Sequence, residues 1–259
     1  MELHAVRSEV TSELKALQDD QAEGGDAKST PKPALFHNAR VLELGCGVGL
    51  VSLVAASVGA DTIATDSDVT ALTICSRNAH GNRGGLQGGI RVRHLDWTVL
   101  PQLTAPEAAV PATFLWTEDD QDGMSKLDMI VCSDVFYDDE LTELLLGGLH
   151  ALMLRFPRAR VFITAERRVV FSMYTLSEIA LGYDTFQAHR CLHPSNQQES
   201  LSPSVAMCSN CGDEQAKERF IATNTPLDDI PHVFQYDRVS TLEMWEVKAV
   251  VTSRTDILV

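Results

Sequence analysis

Hydrophobic and polar positions along this chain switch repeatedly between two periods. Short runs rich in Val, Ile and Leu recur at 40–44, 61–65, 90–95, 127–132 and 160–165. Longer segments at 50–58, 69–78 and 140–154 carry apolar residues at helical spacing. Strand followed by helix, repeated, predicts a parallel sheet with helices on its faces. Two further runs, 219–222 and 243–251, read as a final pair of strands. The expected fold is therefore an α/β, Rossmann-like, doubly wound and mostly parallel sheet of seven strands, closed by an antiparallel C-terminal strand.

Local signals refine the boundaries. Gly59 stands where a helix from 50 would end, and Asp68 stands at the N-cap of the next one. Arg91 and Arg93 flank Val92, as in a half-exposed strand. The segment 98–126 holds Pro101, Pro106, Pro111 and the acidic run 118–122. It reads as a solvated loop, with a substrate-contacting lid as a secondary alternative. The apolar stretch 170–181 predicts a helix packed on the sheet, whereas 193–217 is polar and loop-like. At the N-terminus, 8–18 predicts a short charged helix within a flexible acidic segment 1–34, which leaves 35–259 as the folded domain.

Charge narrows the partners. Thirty-six acids against 21 bases leave a formal charge of −15. Direct nucleic-acid binding is not expected, since phosphate recognition needs a basic footprint. An acidic surface favours cationic partners such as lysine-rich proteins, or serves solubility alone. The N-terminus carries acids where a secretory apolar region would stand, and the apolar run 50–60 is too short to span a bilayer. No membrane association is expected. Residence is expected in a reducing intracellular compartment, cytoplasm or nucleus, with the six cysteines mostly free. Cys208 and Cys211 form a lone C-x-x-C. Zinc would need two more ligands, and His189, His193 and His232 stand at no familiar spacing, so no metal is expected.

The candidate chemistry lies at the ends of the predicted strands, where open α/β sheets bind their ligands. The first strand runs into Glu43-Leu-Gly45-Cys46-Gly47-Val-Gly49-Leu50 and then a helix. Glycines let backbone approach a ligand closely, and the helix start offers free N–H groups at a positive dipole end. A dinucleotide fingerprint from Gly45 would need glycine or alanine at position 50, where Leu50 stands. That disfavours a nicotinamide oxidoreductase. An acid ahead of the glycines suits a ligand ending in a cationic amino acid. Asp66 ends the second strand, placed to accept both ribose hydroxyls. Asp96 and Trp97 end the third, a carboxylate for an adenine amine beside an aromatic face. Ser133 and Asp134 end the fourth.

The pattern Glu-x-Gly-x-Gly-x-Gly resembles motif I of seven-β-strand methyltransferases that use S-adenosyl-L-methionine. Asp134-Val-Phe136-Tyr137, with the Asp96-Trp97 pair, is similar to the family-16 protein-lysine methyltransferases. A narrower likeness to one branch rests on 137–142, 191–193 and 242–245. The resemblance implies a class I methyltransferase fold and transfer of methyl to a lysine ε-amine on a protein substrate, commonly a nucleic-acid-associated or chaperone-type one. It implies cofactor contacts from Glu43, Gly45, Cys46, Gly47, Gly49, Asp66, Asp96, Trp97 and Ser133, with Asp134 and Tyr137 catalytic. Nucleic-acid and glutamine N-methyltransferases of similar fold carry Asn/Asp-Pro-Pro-Tyr after strand four. Here Ser-Asp-Val-Phe stands there, so a nucleic-acid or small-molecule N-methyltransferase is the lesser alternative. Members of the family also carry a tryptophan-bearing helix before motif I. No tryptophan precedes Trp97 here, which points to a weaker hold on the methionine end, or to a non-catalytic interaction protein of the same fold.

Overall fold

A computed structural model of the chain describes residues 36–103, 110–174, 176–192, 198–208, 211, 220–227, 230 and 239–251. The predicted helix at 8–18 lies outside them. Five strands form the parallel part of the main sheet: β1 (Arg40–Leu44), β2 (Asp61–Asp66), β3 (Ile90–His94), β4 (Met129–Ser133) and β5 (Arg160–Glu166). Their order is β3-β2-β1-β4-β5, every adjacent pair parallel. The winding reverses between β1 and β4. A crevice at the carboxyl ends of those two strands follows from this reversal alone.

Strand alternation sorts the side chains onto two faces. Leu42, Leu44, Ile130, Cys132, Val161 and Ile163 pack on one, against helix α4 (Asp139–Arg155). Val41, Met129, Val131 and Phe162 face the other, against α1 (Leu50–Ser57), and Ala64 and Val92 face α2 (Val69–Asn82). Asp68 caps α2 as predicted, accepting from the Thr70 N–H at 2.8 Å, and the helix runs one turn beyond the expected end. Gly59 takes φ 101° after α1, and its N–H bonds the Ala56 carbonyl at 3.2 Å while that of Ala60 reaches Ala55 at 3.0 Å. That double bond is the Schellman stop.

Three expectations are corrected. The segment 98–126 is not all solvated loop: α3 (Glu118–Met124) forms there, because Thr117 and Asp120 make a reciprocal capping box. Asp120 is fully buried between Arg93 and Arg91 and so fastens the segment to the sheet edge. The stretch 170–181 is not a helix. It forms a two-stranded antiparallel ribbon, β6 (Val170–Ser172) with β7 (Ser177–Ile179), in keeping with its β-branched and aromatic residues. The helix comes later, as α5 (Tyr183–Ala188). Within 193–217, β8 (Gln198–Ser200) and β9 (Val205–Cys208) are strands that extend the sheet.

The closing strands are β10 (Phe220–Thr225) and β11 (Leu242–Val251). β11 inserts antiparallel between β5 and β10, which completes the predicted seven-stranded pattern. β9 then lies parallel to the far end of β11, and β8 pairs with β9. Among the described residues no helix is long and apolar enough to cross a membrane.

Candidate functional site

The glycine turn after β1 is held open by backbone conformation. Gly45, Gly47 and Gly49 take φ of 72°, 51° and 88°, the left-handed region that a side chain disfavours. A Cβ on Gly49 would lie 2.5 Å from the Cys75 sulfur of α2, so only glycine lets the two helices approach there. The turn is pinned from below. The Cys46 N–H bonds the Thr65 carbonyl at 2.8 Å, and the Gly47 N–H bonds Asp66 Oδ2 at 2.9 Å.

Glu43 is placed differently from expectation. Its carboxylate is 2 % exposed and lies beneath the turn, accepting from the Ser52 N–H at 2.9 Å and from the Ser52 hydroxyl. Gly49, the N-cap of α1, has no side chain to offer that helix end. Glu43 satisfies the orphan N–H from the neighbouring strand instead. Burial outweighs these hydrogen bonds and raises its pKa from 4.5 to about 7. Cys46 also points away from the crevice, into the cluster of Ala64, Leu72 and Cys75. Its bond to Cys75, then burial, push its thiol up and keep it neutral.

Asp66 and Asp96 do converge. With Gly45, Trp97 and Tyr137 they line one hollow of about 190 Å³ at the sheet's switch point. The Asp66 carboxylate also accepts from the Asp68 N–H at 2.9 Å, so its position is set by two loops. Asp96 Oδ1 accepts from the Thr98 hydroxyl and N–H at 2.7 and 2.8 Å, and these bonds lower its pKa. Trp97 lies along the turn, its ring 3.3 Å from where a Gly45 Cβ would stand. The hollow is smaller than the roughly 300–1,000 Å³ of an enclosed ligand site.

The chain leaving β4 delivers the last group, of which Tyr137 reaches the hollow. Asp134 takes φ 56°, a conformation that aspartate tolerates better than most residues. This kink buries Val135 and Phe136 and leaves Tyr137 53 % exposed on the hollow's rim. Phe136 stacks on Phe186 with centroids 4.8 Å apart and is core, not a wall for substrate. The Asp134 carboxylate is paired with Arg168, both half exposed. Ser133 stands behind, its hydroxyl accepting from that of Thr164 at 3.0 Å, and does not line the hollow. Burial, then the nearby acids Asp66, Asp138 and Asp134, push the Tyr137 phenol up, so it stays neutral.

Of the four strand-end acids, Asp66 and Asp96 share the hollow, Asp134 pairs with Arg168 outside its lining, and Glu43 lies beneath the turn. Sequence reasoning missed Arg168, which comes from beyond β5 with no spacing signal. It also missed Ser67, Thr98, Leu141 and Leu144 on the hollow's wall. Leu141 and Leu144 were legible, being one turn apart on α4 just after its Asp138 cap. A larger hollow of about 430 Å³ opens between α2 and β3, away from the strand carboxyl ends. Two of its cations, Arg91 and Arg93, are already paired with Asp120.

The glycine turn and the acids at the ends of β2 and β3 lie within or near one contiguous match to known sequences. Residues 17–110 match the lysine methyltransferase family. Over 221 residues the chain is also 30% identical to methyltransferase-like protein 22 of Homo sapiens, an alignment covering 83% of this chain and 49% of that protein. The Mus musculus protein of the same name is 30% identical over 82% of this chain and 50% of its own length. The chain thus spans about half the length of the curated relatives it matches. The likeness to that branch, expected from 137–142, 191–193 and 242–245, agrees with these alignments. The solved structure of PH0226 protein from Pyrococcus horikoshii is similar over 82% of each chain at 10% identity, with a TM-score of 0.41. Strand order, not that likeness, defines the fold here. Within the lysine methyltransferase match lie Glu43, the three glycines, Asp66, Asp96 and Trp97.

The residues fit an adenosyl amino acid. For such a ligand Asp66 would present a fixed carboxylate to a ribose diol, Asp96 an acceptor to an exocyclic amine, and Trp97 an aromatic face beside Gly45. A phosphate at the ribose would meet Asp66 as a like charge.

Proposed function

We propose that this chain is an S-adenosyl-L-methionine-dependent methyltransferase acting on a lysine ε-amine of a protein, inside a reducing compartment of the cell, cytoplasm or nucleus. The observation that carries the reading is the shared hollow of Asp66, Asp96, Trp97 and Tyr137 beside the glycine turn, with Asp134 close enough to act on the Tyr137 phenol. The cofactor supplies an activated methyl group on a sulfonium, so the protein's part is binding, orientation and electrostatics.

Lysine arrives as an ammonium, with a solution pKa of about 10.4. Asp134 attracts that cation to the mouth. Its present partner, Arg168, is half exposed, and such a pair is worth only about 0–1 kcal/mol, so exchange for a substrate cation is cheap. Tyr137 offers a neutral aromatic face on which an approaching cation is held and then desolvated as the substrate closes over it. Loss of water favours the neutral amine, and the proton leaves to solvent. Orientation of the amine contributes up to roughly 7–11 kcal/mol of the barrier. The net charge of −15 supports a basic protein substrate, such as a nucleic-acid-associated one, without direct nucleic-acid or membrane binding.

Incubation with methyl-labelled cofactor and cell lysate tests the reading. Label in protein, mapped to methylated lysine by mass spectrometry, is the expected outcome. Label confined to RNA, or no calorimetric binding of the cofactor, would overturn it.

A further inference from the structure

Away from the hollow, near the C-terminal end of β11, three cysteines converge. Cys191, Cys208 and Cys211 are buried, and their sulfurs all lie within 4.8 Å of one another. Cys191 Sγ is 3.7 Å from that of Cys208 and 3.1 Å from that of Cys211. They come from separate places: Cys191 follows α5, Cys208 ends β9, and Cys211 lies in the chain leading to β10. Cysteine is commonly buried as a small apolar residue. A purely apolar role, however, explains this group poorly. Among the described residues its other members are Val250 and the partly buried Ile221, so the described cluster is sulfur with an aliphatic edge, separate from the main core.

We propose that Cys191, Cys208 and Cys211 form a structural zinc site. Zinc binds thiolate sulfur at about 2.3 Å in a tetrahedron, whose S···S edges are then about 3.8 Å. The Cys191–Cys208 separation of 3.7 Å matches that edge, and the 3.1 Å between Cys191 and Cys211 would need to open by a few tenths of an ångström. Soft thiolates select zinc over magnesium or calcium, and C-x-x-C is half of a common zinc-binding spacing. The Gln198 amide donates towards Cys191 Sγ at 3.6 Å, the kind of surrounding hydrogen bond that favours a charged, metal-bound sulfur. The tetrahedron's remaining donor comes from outside these three residues.

Such an ion would act as a cross-link. The Cys191 N–H already bonds the Phe220 carbonyl at 2.6 Å, and β9 pairs with β11. Zinc would tie the end of α5 and the β8–β9 hairpin to Cys211. The free energy of binding then becomes folding free energy for this end of the sheet.

The full chain, purified in reducing buffer without chelator, is the material for the test. Elemental analysis is expected to find one zinc per chain, lost in Cys208→Ser/Cys211→Ser. Thiol alkylation mapped by mass spectrometry is independent of whether that variant folds. Stripping zinc from the wild type should expose Cys191, Cys208 and Cys211 and lower the melting temperature, while the buried Cys46, Cys75 and Cys132 stay protected. Re-addition of zinc alone should reverse both effects. A metal-free chain whose three thiols alkylate freely, or a Cys191–Cys211 disulfide in the native protein, would overturn the proposal.

Discussion

The carboxylate of Glu43, on β1, accepts hydrogen bonds from the backbone and hydroxyl of Ser52 in the first turn of α1. A buried acid thus does the capping that Gly49 cannot, and it leaves the glycine turn clear for a ligand. The arrangement has a pH signature. The folded pKa of about 7 lies above the ordinary 4.5, so as pH rises the unfolded chain loses this proton first. The stability contributed by protonated Glu43 is complete below about pH 4.5 and is lost as pH climbs to about 7. Glu43→Gln keeps an acceptor for Ser52 and removes the titration. Its stability relative to wild type should grow by about 2 kcal/mol between about pH 5 and pH 8. Urea unfolding at several pH values reads this directly, and parallel curves for the two proteins would refute it.

Asp120 is the corresponding anchor at the sheet edge. Its carboxylate meets Arg93 Nε at 2.5 Å and Arg91 Nη1 at 3.2 Å, and Arg91 reaches on to Asp61 at 2.9 Å. Burial pushes this acid up, but the Arg93 and Thr117 bonds outweigh it and hold the carboxyl below its usual range. Asp120→Ala takes the carboxylate from Arg93, leaves Arg91 with Asp61 alone and removes half of the capping box of α3. A loss of about 3 kcal/mol is expected, at the lower end for a buried pair because both arginines keep some access to water. Thermal unfolding checks it. A loss under about 1 kcal/mol would mean that the network is incidental.

The residues that resisted prediction share a physical cause. Strand and helix positions were legible because Val41 and Leu42, or Met129 and Ile130, must face opposite layers whatever the ligand. The glycine turn was legible because Gly45, Gly47 and Gly49 need conformations that few residues accept. Glu43 misled because an acid before glycines looks the same whether it reaches a ligand or caps a helix from beneath. Asp120 misled because it sits in the acidic run 118–122, where only the third-residue spacing from Thr117 marks it as different. Arg168 and Cys191 were invisible as site residues. Their partners, Asp134 and Cys208, are distant in sequence, and only the fold brings them together.

Asp66 joins two jobs. It holds the Gly47 and Asp68 amides and faces the hollow. Asp66→Ala should weaken cofactor binding roughly tenfold to a hundredfold, the range for losing a charged acceptor. Asp66→Asn keeps one acceptor oxygen for the turn and should fall between wild type and alanine. Calorimetry with the cofactor or its demethylated product measures all three. Unchanged affinity in the alanine variant would remove the ribose role.

Asp134 and Arg168 form an exposed pair, and their separate removal distinguishes a catalytic acid from a surface ion pair. If Asp134 receives the substrate ammonium, Asp134→Ala abolishes transfer while cofactor affinity and melting temperature stay near wild type. Arg168→Ala removes the competitor for the same carboxylate. It should lower KM for a basic protein substrate and leave kcat within a few-fold, with a stability change under about 1 kcal/mol. A surface role alone predicts that both variants behave alike and retain turnover. The reverse asymmetry, with activity lost on removing Arg168 and kept without Asp134, would instead make the guanidinium the group that meets the substrate.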